Sequence, residues 1–348
     1  MTIKFSITER EVRILNPLKN FELDTWKIQY RTDPLTGRNT TVIPKLYEYW
    51  IRFLRSEADI LKRLVLESRG RCPFCPESVL SKTPKFPPEE FEEGRLVKGE
   101  AVAFPNLIGH ADKSAVITVS KEHFLYLNRF TPNLIYDALS LAKTIIEKWC
   151  EVYNHVNYAF ITFNYLPPAG STIVHPHIQV LARDRPTTLQ KLLIDNSIKF
   201  CWENSVDYWT ELIRVEKELG VRYIGSTGPV EWLAPFAPLR GILEIQGILL
   251  GKSTVSELSD DDLISISDGL SRILSFYHSM GVLSFNAAIL FGPLKTKLHE
   301  YSINIRVTAR MGVSHLSFTD AWALPYMLWD GEAIEYPEET AKKAKKFF

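Results

Sequence analysis

Apolar and polar residues alternate along several short stretches of the chain, and each such stretch predicts a β-strand. The clearest runs from Tyr158 to Phe163 and leads, through the small-residue turn 169–172, into the motif HPHIQ. This order predicts strand, turn, strand. Because successive side chains of a strand point to opposite faces, we expect His175, His177 and Gln179 to share one face.

Longer stretches repeat apolar residues every three or four positions and therefore predict helices. They cover residues 46–66, 132–152, 189–219 (one helix or two), 258–276 and a Lys-rich segment from 337 onward. Ser259 is suited to cap the fourth of these helices, and Pro337 to open the last. Strands are also predicted at 26–30 and 40–43, which form a hairpin, and at 101–107, 115–119, 241–250, 285–290 and 302–307.

One order of elements (strand, helix, strand, strand) occurs twice along the chain. Phe163-Asn164 matches Phe285-Asn286, and the HPH residues 175–177 fall opposite Ser302-Ile303-Asn304. We interpret this pattern as a degenerate internal duplication with halves at residues 1–185 and 186–348. Since the second copy lacks both histidines, the chemistry is expected to reside in the first.

The composition is that of an ordinary globular protein, with 348 residues of which 45% are hydrophobic and 24% charged. The 41 basic and 41 acidic residues leave no net charge. Bulk attraction to nucleic acid or to an anionic membrane is therefore not expected. The sequence shows neither a signal peptide nor an apolar run long enough to cross a bilayer, so the cytoplasm is the expected location.

The four cysteines include one close pair, Cys72 and Cys75, in a CxxC motif. In a chain without an export signal, such a pair indicates a metal site or a redox pair rather than a disulfide framework. With His123 and His175 it would complete a closed tetrahedral Zn²⁺ site. Two alternatives stay open: a pair of buried or redox thiols beside a lone surface histidine, or three protein ligands around an open, catalytic metal.

His177 is the candidate nucleophile. A free imidazole is a good nucleophile at neutral pH and can form a phosphoramidate with a nucleotidyl group. The phosphoryl oxygens would need neutral or cationic hydrogen-bond donors. Asn164, Gln179 and the turn Gly170-Ser171-Thr172 could supply them. The alternative is a structural histidine in a strand.

Two further residues could contact a nucleotide. Arg31 begins a turn and could bind phosphate, or it could be a solvated hairpin charge. Asn106 follows a predicted strand and could bind a ligand or simply form a turn. The sequence contains neither a GxxxxGK[ST] phosphate loop nor a dinucleotide-binding motif.

Together these motifs resemble the galactose-1-phosphate uridylyltransferase family, in the transferase branch of the histidine triad superfamily. The resemblance covers nearly the whole chain, and Asn164 keeps the family's spacing of eleven residues before His175. It rests on RTDPLTGR at 31–38, CPFCP at 72–76, FPNL at 104–107, VITVSKEH at 116–123, HPHIQ at 175–179 and APFA at 234–237.

The resemblance implies an α+β fold of two related histidine-triad-like halves, with an open, mainly antiparallel sheet flanked by helices. It also implies a homodimer and one structural Zn²⁺ bound by Cys72, Cys75, His123 and His175. The C-terminal half would contribute to sugar binding.

The resemblance further implies a ping-pong reaction. His177 would attack the α-phosphorus of a UDP-hexose, release hexose 1-phosphate, and pass the UMP to a second hexose 1-phosphate. Gln179 would hold the phosphoryl oxygens of the intermediate. The nucleotide and its phosphates would be held by Arg31, Asn106, Asn164, Gly170, Ser171 and Thr172.

The sequence departs from the family pattern at three places. Ser302-Ile303-Asn304 stands where some members carry histidines of a second metal site, so that site is predicted to be absent. Leu107 replaces an Asp, and the segment 310–315 lacks the usual sugar-binding Glu and Gln. Two alternatives therefore stay open: an ADP-sugar phosphorylase or adenylyltransferase of the same superfamily, and a non-catalytic, zinc-stabilised nucleotide-binding protein.

Overall fold

Fourteen strands and nine α-helices occupy residues 3–348, the part of the chain that the computed structural model describes. The strands are β1 (Ser6–Asn16), β2 (Glu22–Thr32), β3 (Asn39–Val42), β4 (Leu96–Lys98), β5 (Ala101–Pro105), β6 (Lys113–Thr118), β7 (Tyr158–Tyr165), β8 (His177–Arg183), β9 (Tyr223–Thr227), β10 (Val230–Leu233), β11 (Ile245–Leu249), β12 (Phe285–Leu290), β13 (Ile303–Ala309) and β14 (Gly331–Ala333). The helices are α1 (Lys45–Leu54), α2 (Ala58–Arg69), α3 (Pro76–Lys82), α4 (Pro132–Val152), α5 (Thr188–Asn204), α6 (Tyr208–Leu219), α7 (Asp260–Ser279), α8 (Ala323–Met327) and α9 (Pro337–Ala344).

Ten of the strands form one antiparallel sheet in the order β4-β5-β6-β8-β7-β12-β13-β11-β10-β9. The first five strands in this order come from the N-terminal part of the chain and the last five from the C-terminal part. The order is symmetric about the β7–β12 pair, and each side contains one long helix, α4 or α7. The predicted α+β class with two related halves is therefore confirmed, while the boundary at residue 185 stays a prediction.

The two halves join where β7 pairs with β12, and Asn164 there lies directly opposite Asn286. These are the residues that the sequence comparison aligned between the two copies. Their pairing means that side chains from both halves meet on the same face of one continuous sheet.

The two faces of this sheet have different roles. The long helices α4 and α7 pack against each other and cover one face, where Phe163, Ile178 and Ile305 belong to the main apolar core. The opposite face carries Gln179, which is paired with Thr162 on the neighbouring strand. Because side chains alternate, polar residues of β8, β7 and β12 accumulate on that second face.

Two predicted elements differ from the structure because of tertiary contacts. The predicted helix 46–66 is divided into α1 and α2, because Val313 accepts a backbone hydrogen bond from Glu57 at 2.9 Å and donates one to the Ser56 hydroxyl at 2.9 Å. The strand predicted at 241–250 begins only at Ile245. Gly241 lies so close to the chain at Glu332 that a Cβ atom would be 1.6 Å from its carbonyl oxygen.

A smaller sheet, in the order β1-β2-β3-β14, contains the predicted hairpin as β2 and β3. Arg31 of β2 attaches this sheet to the C-terminal helix. Its buried guanidinium donates to both Glu338 carboxylate oxygens at 2.9 and 3.0 Å. The remaining N–H groups donate to the Gln29 side chain at 2.8 and 3.1 Å and to the Phe236 carbonyl at 3.3 Å. All five donors of Arg31 are thus used within the chain.

None of the helices in residues 3–348 combines the length and apolar character needed to span a bilayer.

Replacing Arg31 by Met should lower the free energy of unfolding by about 3 kcal/mol, because it removes a buried guanidinium and leaves the half-buried Glu338 carboxylate and the Gln29 amide oxygen with fewer donors. Urea unfolding followed by circular dichroism measures this change. The matched control is Arg13→Met, since the ion pair of Arg13 with Glu11 is exposed and should contribute less than about 0.5 kcal/mol. Wild-type stability of Arg31→Met combined with weaker nucleotide binding would instead favour the substrate-binding role predicted from the sequence.

Candidate active site and metal centre

Four side chains from distant parts of the chain meet beside the start of β8. Cys72 follows α2, Cys75 precedes α3, His123 follows β6, and His175 precedes β8. All four are buried, and their potential ligand atoms lie within 4.8 Å of one another. The structure therefore brings together the four residues predicted as metal ligands.

Hydrogen bonds orient both imidazoles toward the thiols. His175 donates from Nε2 to the Ser120 carbonyl at 2.8 Å. Ser68 donates its hydroxyl proton to the Leu64 carbonyl at 2.6 Å, and its oxygen then accepts from His123 Nε2 at 2.9 Å. Both Nδ1 atoms consequently carry a free lone pair, and they lie 3.3 and 3.6 Å from the Cys75 sulfur.

The protonation of this group suits a metal. Burial lowers the pKa of His175 to about 4, which keeps the ring neutral. Burial, and secondly the neighbouring Cys72 thiol, raise the pKa of Cys75 to about 12. Two buried thiols ionise readily only when a cation compensates their charge. Two thiolates and two neutral imidazoles, each imidazole held by an outer hydrogen bond, are a donor set typical of tetrahedral Zn²⁺.

His177 begins β8 and is not one of the four grouped side chains. Its Nδ1 donates to the His175 carbonyl at 2.7 Å, so Nε2 carries the free lone pair. The Phe74 ring meets the His177 ring edge-on, with 5.2 Å between centroids. Burial lowers the pKa of His177, which favours the neutral imidazole.

The predicted strand begins later in the structure than the HPHIQ motif does. His175 does not lie in the strand, because β8 begins at His177, so strand alternation does not govern its direction. Pro176 has no N–H to add to a sheet and stands where the strand has not yet formed. The His175 ring reaches the Cys75 sulfur at 3.6 Å, and the Phe74 ring contacts both imidazoles, with its centroid 6.4 Å from His175 and 5.2 Å from His177.

The predicted phosphate-binding turn is a constrained loop. It starts at Leu166, a fully buried residue with φ 67° and ψ 162°, a strained conformation for a residue other than glycine. Gly170 adopts φ 84°, a left-handed conformation that favours glycine. The Ser171 hydroxyl donates to the Ile173 carbonyl at 2.7 Å, whereas Thr172 is exposed. The substrate-binding roles of Gly170, Ser171 and Thr172 stay predictions.

Asn164 and Gln179 lie together beside His177, and two residues of the second half extend their network. Asn164 donates to the Gln179 side-chain carbonyl at 3.4 Å and accepts from Asn286 at 2.6 Å. Asn286 accepts from Arg310 at 2.5 Å. From the sequence, Asn286 was only a marker of the duplication, and Arg310 had no predicted role. The match of Asn286 with Asn164 was the sequence feature that could have indicated this contact, because equivalent strands of two duplicated halves can pair with each other.

The other two predicted substrate residues lie in different places. Asn106 follows β5, is half-buried, and donates its backbone N–H to the Ser114 carbonyl at 2.9 Å. It lies two residues beyond Phe104, whose strand partner Val116 pairs in turn with Gln179, and its substrate-binding role stays a prediction. The network of Arg31 lies at the C-terminal helix, and the structure does not bring Arg31 together with this site.

A cavity of about 220 Å³ is lined by two neighbours of His177. Phe74 and Thr118 line it, and Thr118 is the strand partner of His177. Its other walls are mostly apolar residues of α3, β4 and β5, with Lys121 and Glu100 at its rim. The cavity has the apolar walls and few polar groups expected of a small-molecule site.

The chain is 32% identical over 341 residues to an uncharacterized protein of Archaeoglobus fulgidus, which covers 97% of this chain and 98% of that protein. The two proteins belong to one family. No family model matches the chain.

Solved structures with the same fold identify its architecture. A GalT-like protein from Arabidopsis thaliana is 19% identical and superimposes with a TM-score of 0.69 over 92% of this chain and 98% of that one. An ADP-glucose phosphorylase from Arabidopsis thaliana, solved with bound ADP-glucose, gives the same TM-score and coverage at 16% identity. A uridylyltransferase is 16% identical with a TM-score of 0.65 over 91% and 97% of the two chains. The fold is therefore that of the galactose-1-phosphate uridylyltransferase-like proteins, as the sequence motifs predicted.

Replacing Cys72 by Ser should reduce the zinc content of the purified protein to well below one ion per chain, because it removes one of four ligands. Ser68→Ala should keep the ligands but weaken zinc binding about 10-fold, since it frees the outer nitrogen of His123. Elemental analysis and chelator competition measure the two effects. Cys201→Ser in α5 is the control and should bind zinc normally; unchanged zinc in Cys72→Ser would refute the four-ligand site.

Proposed function

We propose that this protein is a nucleotidyltransferase that carries the nucleotidyl group on His177. The observation that carries the proposal is the hydrogen bond from His177 Nδ1 to the His175 carbonyl. It assigns the proton to Nδ1 and leaves Nε2 as the nucleophile. His175 itself is oriented within the Cys₂His₂ group, so the nucleophile is attached to a rigid support.

In the proposed first step, the His177 Nε2 lone pair attacks the α-phosphorus of a nucleoside diphosphate hexose. A nitrogen–phosphorus bond forms, and the bond from phosphorus to the hexose 1-phosphate oxygen breaks. The leaving hexose 1-phosphate keeps the bonding electrons. The Nδ1 proton stays on the ring, and its hydrogen bond to the carbonyl stabilises the positive charge that the imidazole acquires.

In the second step, a phosphate oxygen of another hexose 1-phosphate attacks the same phosphorus. The nitrogen–phosphorus bond breaks, and its electrons return to Nε2 as the neutral imidazole is restored. Gln179 supplies a neutral donor for the phosphoryl oxygens in both steps, and Asn164 orients it. No net proton transfer is required, which suits a site with no carboxylate assigned to it.

The remaining parts of the site support binding of a nucleotide sugar. The cavity is lined by Phe74, whose ring contacts His177, and offers room and apolar contacts for a nucleoside. Zinc bound by the Cys₂His₂ group would supply structural cross-linking of the knuckle to β8. We propose UDP-hexose as donor and a hexose 1-phosphate as acceptor; a homodimer and a cytoplasmic location remain part of this proposal.

A second candidate is an ADP-sugar phosphorylase, in which inorganic phosphate replaces the second sugar phosphate. The observation that favours it is the fold match with the ADP-glucose phosphorylase, which equals that of the GalT-like protein in TM-score. The chemistry at His177 is the same in both candidates. They differ in the nucleotide that fills the cavity and in the acceptor.

Incubation with UDP-glucose should add the mass of UMP to the protein, and His177→Ala should abolish this adduct because the nucleophile is removed. Intact-protein mass spectrometry measures it. His155→Ala, at an exposed histidine, is the matched control and should form the adduct normally. An adduct of AMP mass with ADP-glucose would select the second candidate, and an adduct that persists in His177→Ala would refute the covalent role of His177.

A further inference from the structure

We propose that Arg310 and Asn286, both in the second half of the chain, set the direction of a hydrogen-bond chain that ends at Gln179. In this chain each group donates to the next: Arg310 to Asn286, Asn286 to Asn164, and Asn164 to Gln179. The result is that the Gln179 NH₂ group, rather than its carbonyl, is presented to the phosphoryl group. This inference deepens the proposed nucleotidyl transfer and rests on it.

The orientation of the Asn286 amide is fixed from two sides. A guanidinium has donors and no acceptor, so Arg310 at 2.5 Å must face the Asn286 carbonyl oxygen. The backbone carbonyl of Ala169 is an acceptor without a donor, so at 2.9 Å it must face the Asn286 NH₂ group. A flipped Asn286 amide would place like groups against each other at both contacts.

The orientation of Asn286 in turn fixes the orientations of the Asn164 and Gln179 side-chain amides. The NH₂ group of Asn286 donates to the Asn164 carbonyl oxygen at 2.6 Å, so the Asn164 NH₂ group is directed to the other side. There it meets the Gln179 carbonyl oxygen at 3.4 Å. Within residues 3–348, this is the one hydrogen bond of the Gln179 side chain. Both N–H donors of that side chain are therefore available to a ligand.

Arg310 is in turn held in place. Its Nε and Nη2 donate to one Asp320 oxygen at 2.8 and 2.6 Å. The guanidinium is largely buried, with its side chain 17% exposed. Asn286 and Arg310 are therefore positioning residues: they act through Asn164 and Gln179 and are not assigned a contact with the reacting phosphorus.

Asn286→Asp should reverse the direction of the hydrogen bonds from Asn286 to Gln179, although Asp and Asn have nearly the same shape. A carboxylate still accepts from Arg310, but it cannot donate to Asn164, whose amide must then flip and offer its carbonyl oxygen to Gln179. Gln179 would turn its NH₂ group toward Asn164 and its oxygen toward the phosphoryl group. Loss of one donor to a developing oxyanion typically slows a reaction about 100-fold, and we expect a loss of this size in kcat with little change in KM.

The decisive experiment is a double-mutant cycle on the rate of nucleotidyl-protein formation. Gln179→Ala and Asn286→Asp should each reduce the rate about 100-fold, and the double variant should be no slower than either, because both remove the same donor. Arg310→Lys should retain more activity than Arg310→Met, since Lys keeps a donor for the Asn286 carbonyl. Additive losses, or equal losses in the two Arg310 variants, would overturn the inference.

A second measurement does not depend on turnover. In spectra of protein labelled with ¹⁵N-glutamine, the Gln179 NH₂ signal, assigned with Gln179→Glu, should shift and exchange more slowly with water in Asn286→Asp. Exposed Asn204→Asp is the control and should leave the signal unchanged. An unchanged signal in Asn286→Asp would refute the inference, whereas a shifted signal in a protein that transfers no nucleotide would refute only the proposed function.

Discussion

The proposed chemistry depends on one hydrogen bond, from the His177 ring to the backbone carbonyl of His175. That bond fixes the ring and places the free lone pair on Nε2. The His175 backbone carbonyl is fixed in position because the His175 ring is held between the Ser120 carbonyl and the buried cysteines. In the proposed mechanism, the Cys₂His₂ group therefore acts on His177 through the backbone, and the two histidines have different roles.

The second constraint is the pairing of β7 with β12, which turns a duplicated chain into one sheet. Two duplicated halves that did not pair would form two separate sheets. The register of β7 and β12 instead places Asn164 opposite Asn286 in one sheet. The second half has no counterpart of the histidine pair, yet it contributes side chains that orient the amides of the first. The second half therefore lacks the histidine pair but still supplies Asn286 and Arg310 to the hydrogen-bond network of the first half.

The sequence was a sufficient guide wherever local patterns decide the structure. The helix at 132–152 has the predicted bounds, and the CxxC pair and the two distant histidines lie together, while their binding of a metal stays a prediction. Prediction failed where distant chain segments intervene. The helix at 46–66 is interrupted by contacts with a loop more than 250 residues away, and the roles of Asn286 and Arg310 depend on strand register that no local pattern encodes. In the sequence, Arg31 resembles a phosphate ligand. In the structure its side chain is buried, and its N–H groups donate to acceptors within the protein.

The central claim is that His177 carries the nucleotidyl group as a true intermediate. The most direct measurement isolates the labelled protein, maps the adduct by peptide mass spectrometry, and follows its transfer to added hexose 1-phosphate or inorganic phosphate. The account predicts an adduct on His177 that is discharged to one of these acceptors at least as fast as the overall turnover. An adduct on Ser171 or Thr172, or one on His177 that neither acceptor discharges at that rate, would contradict it.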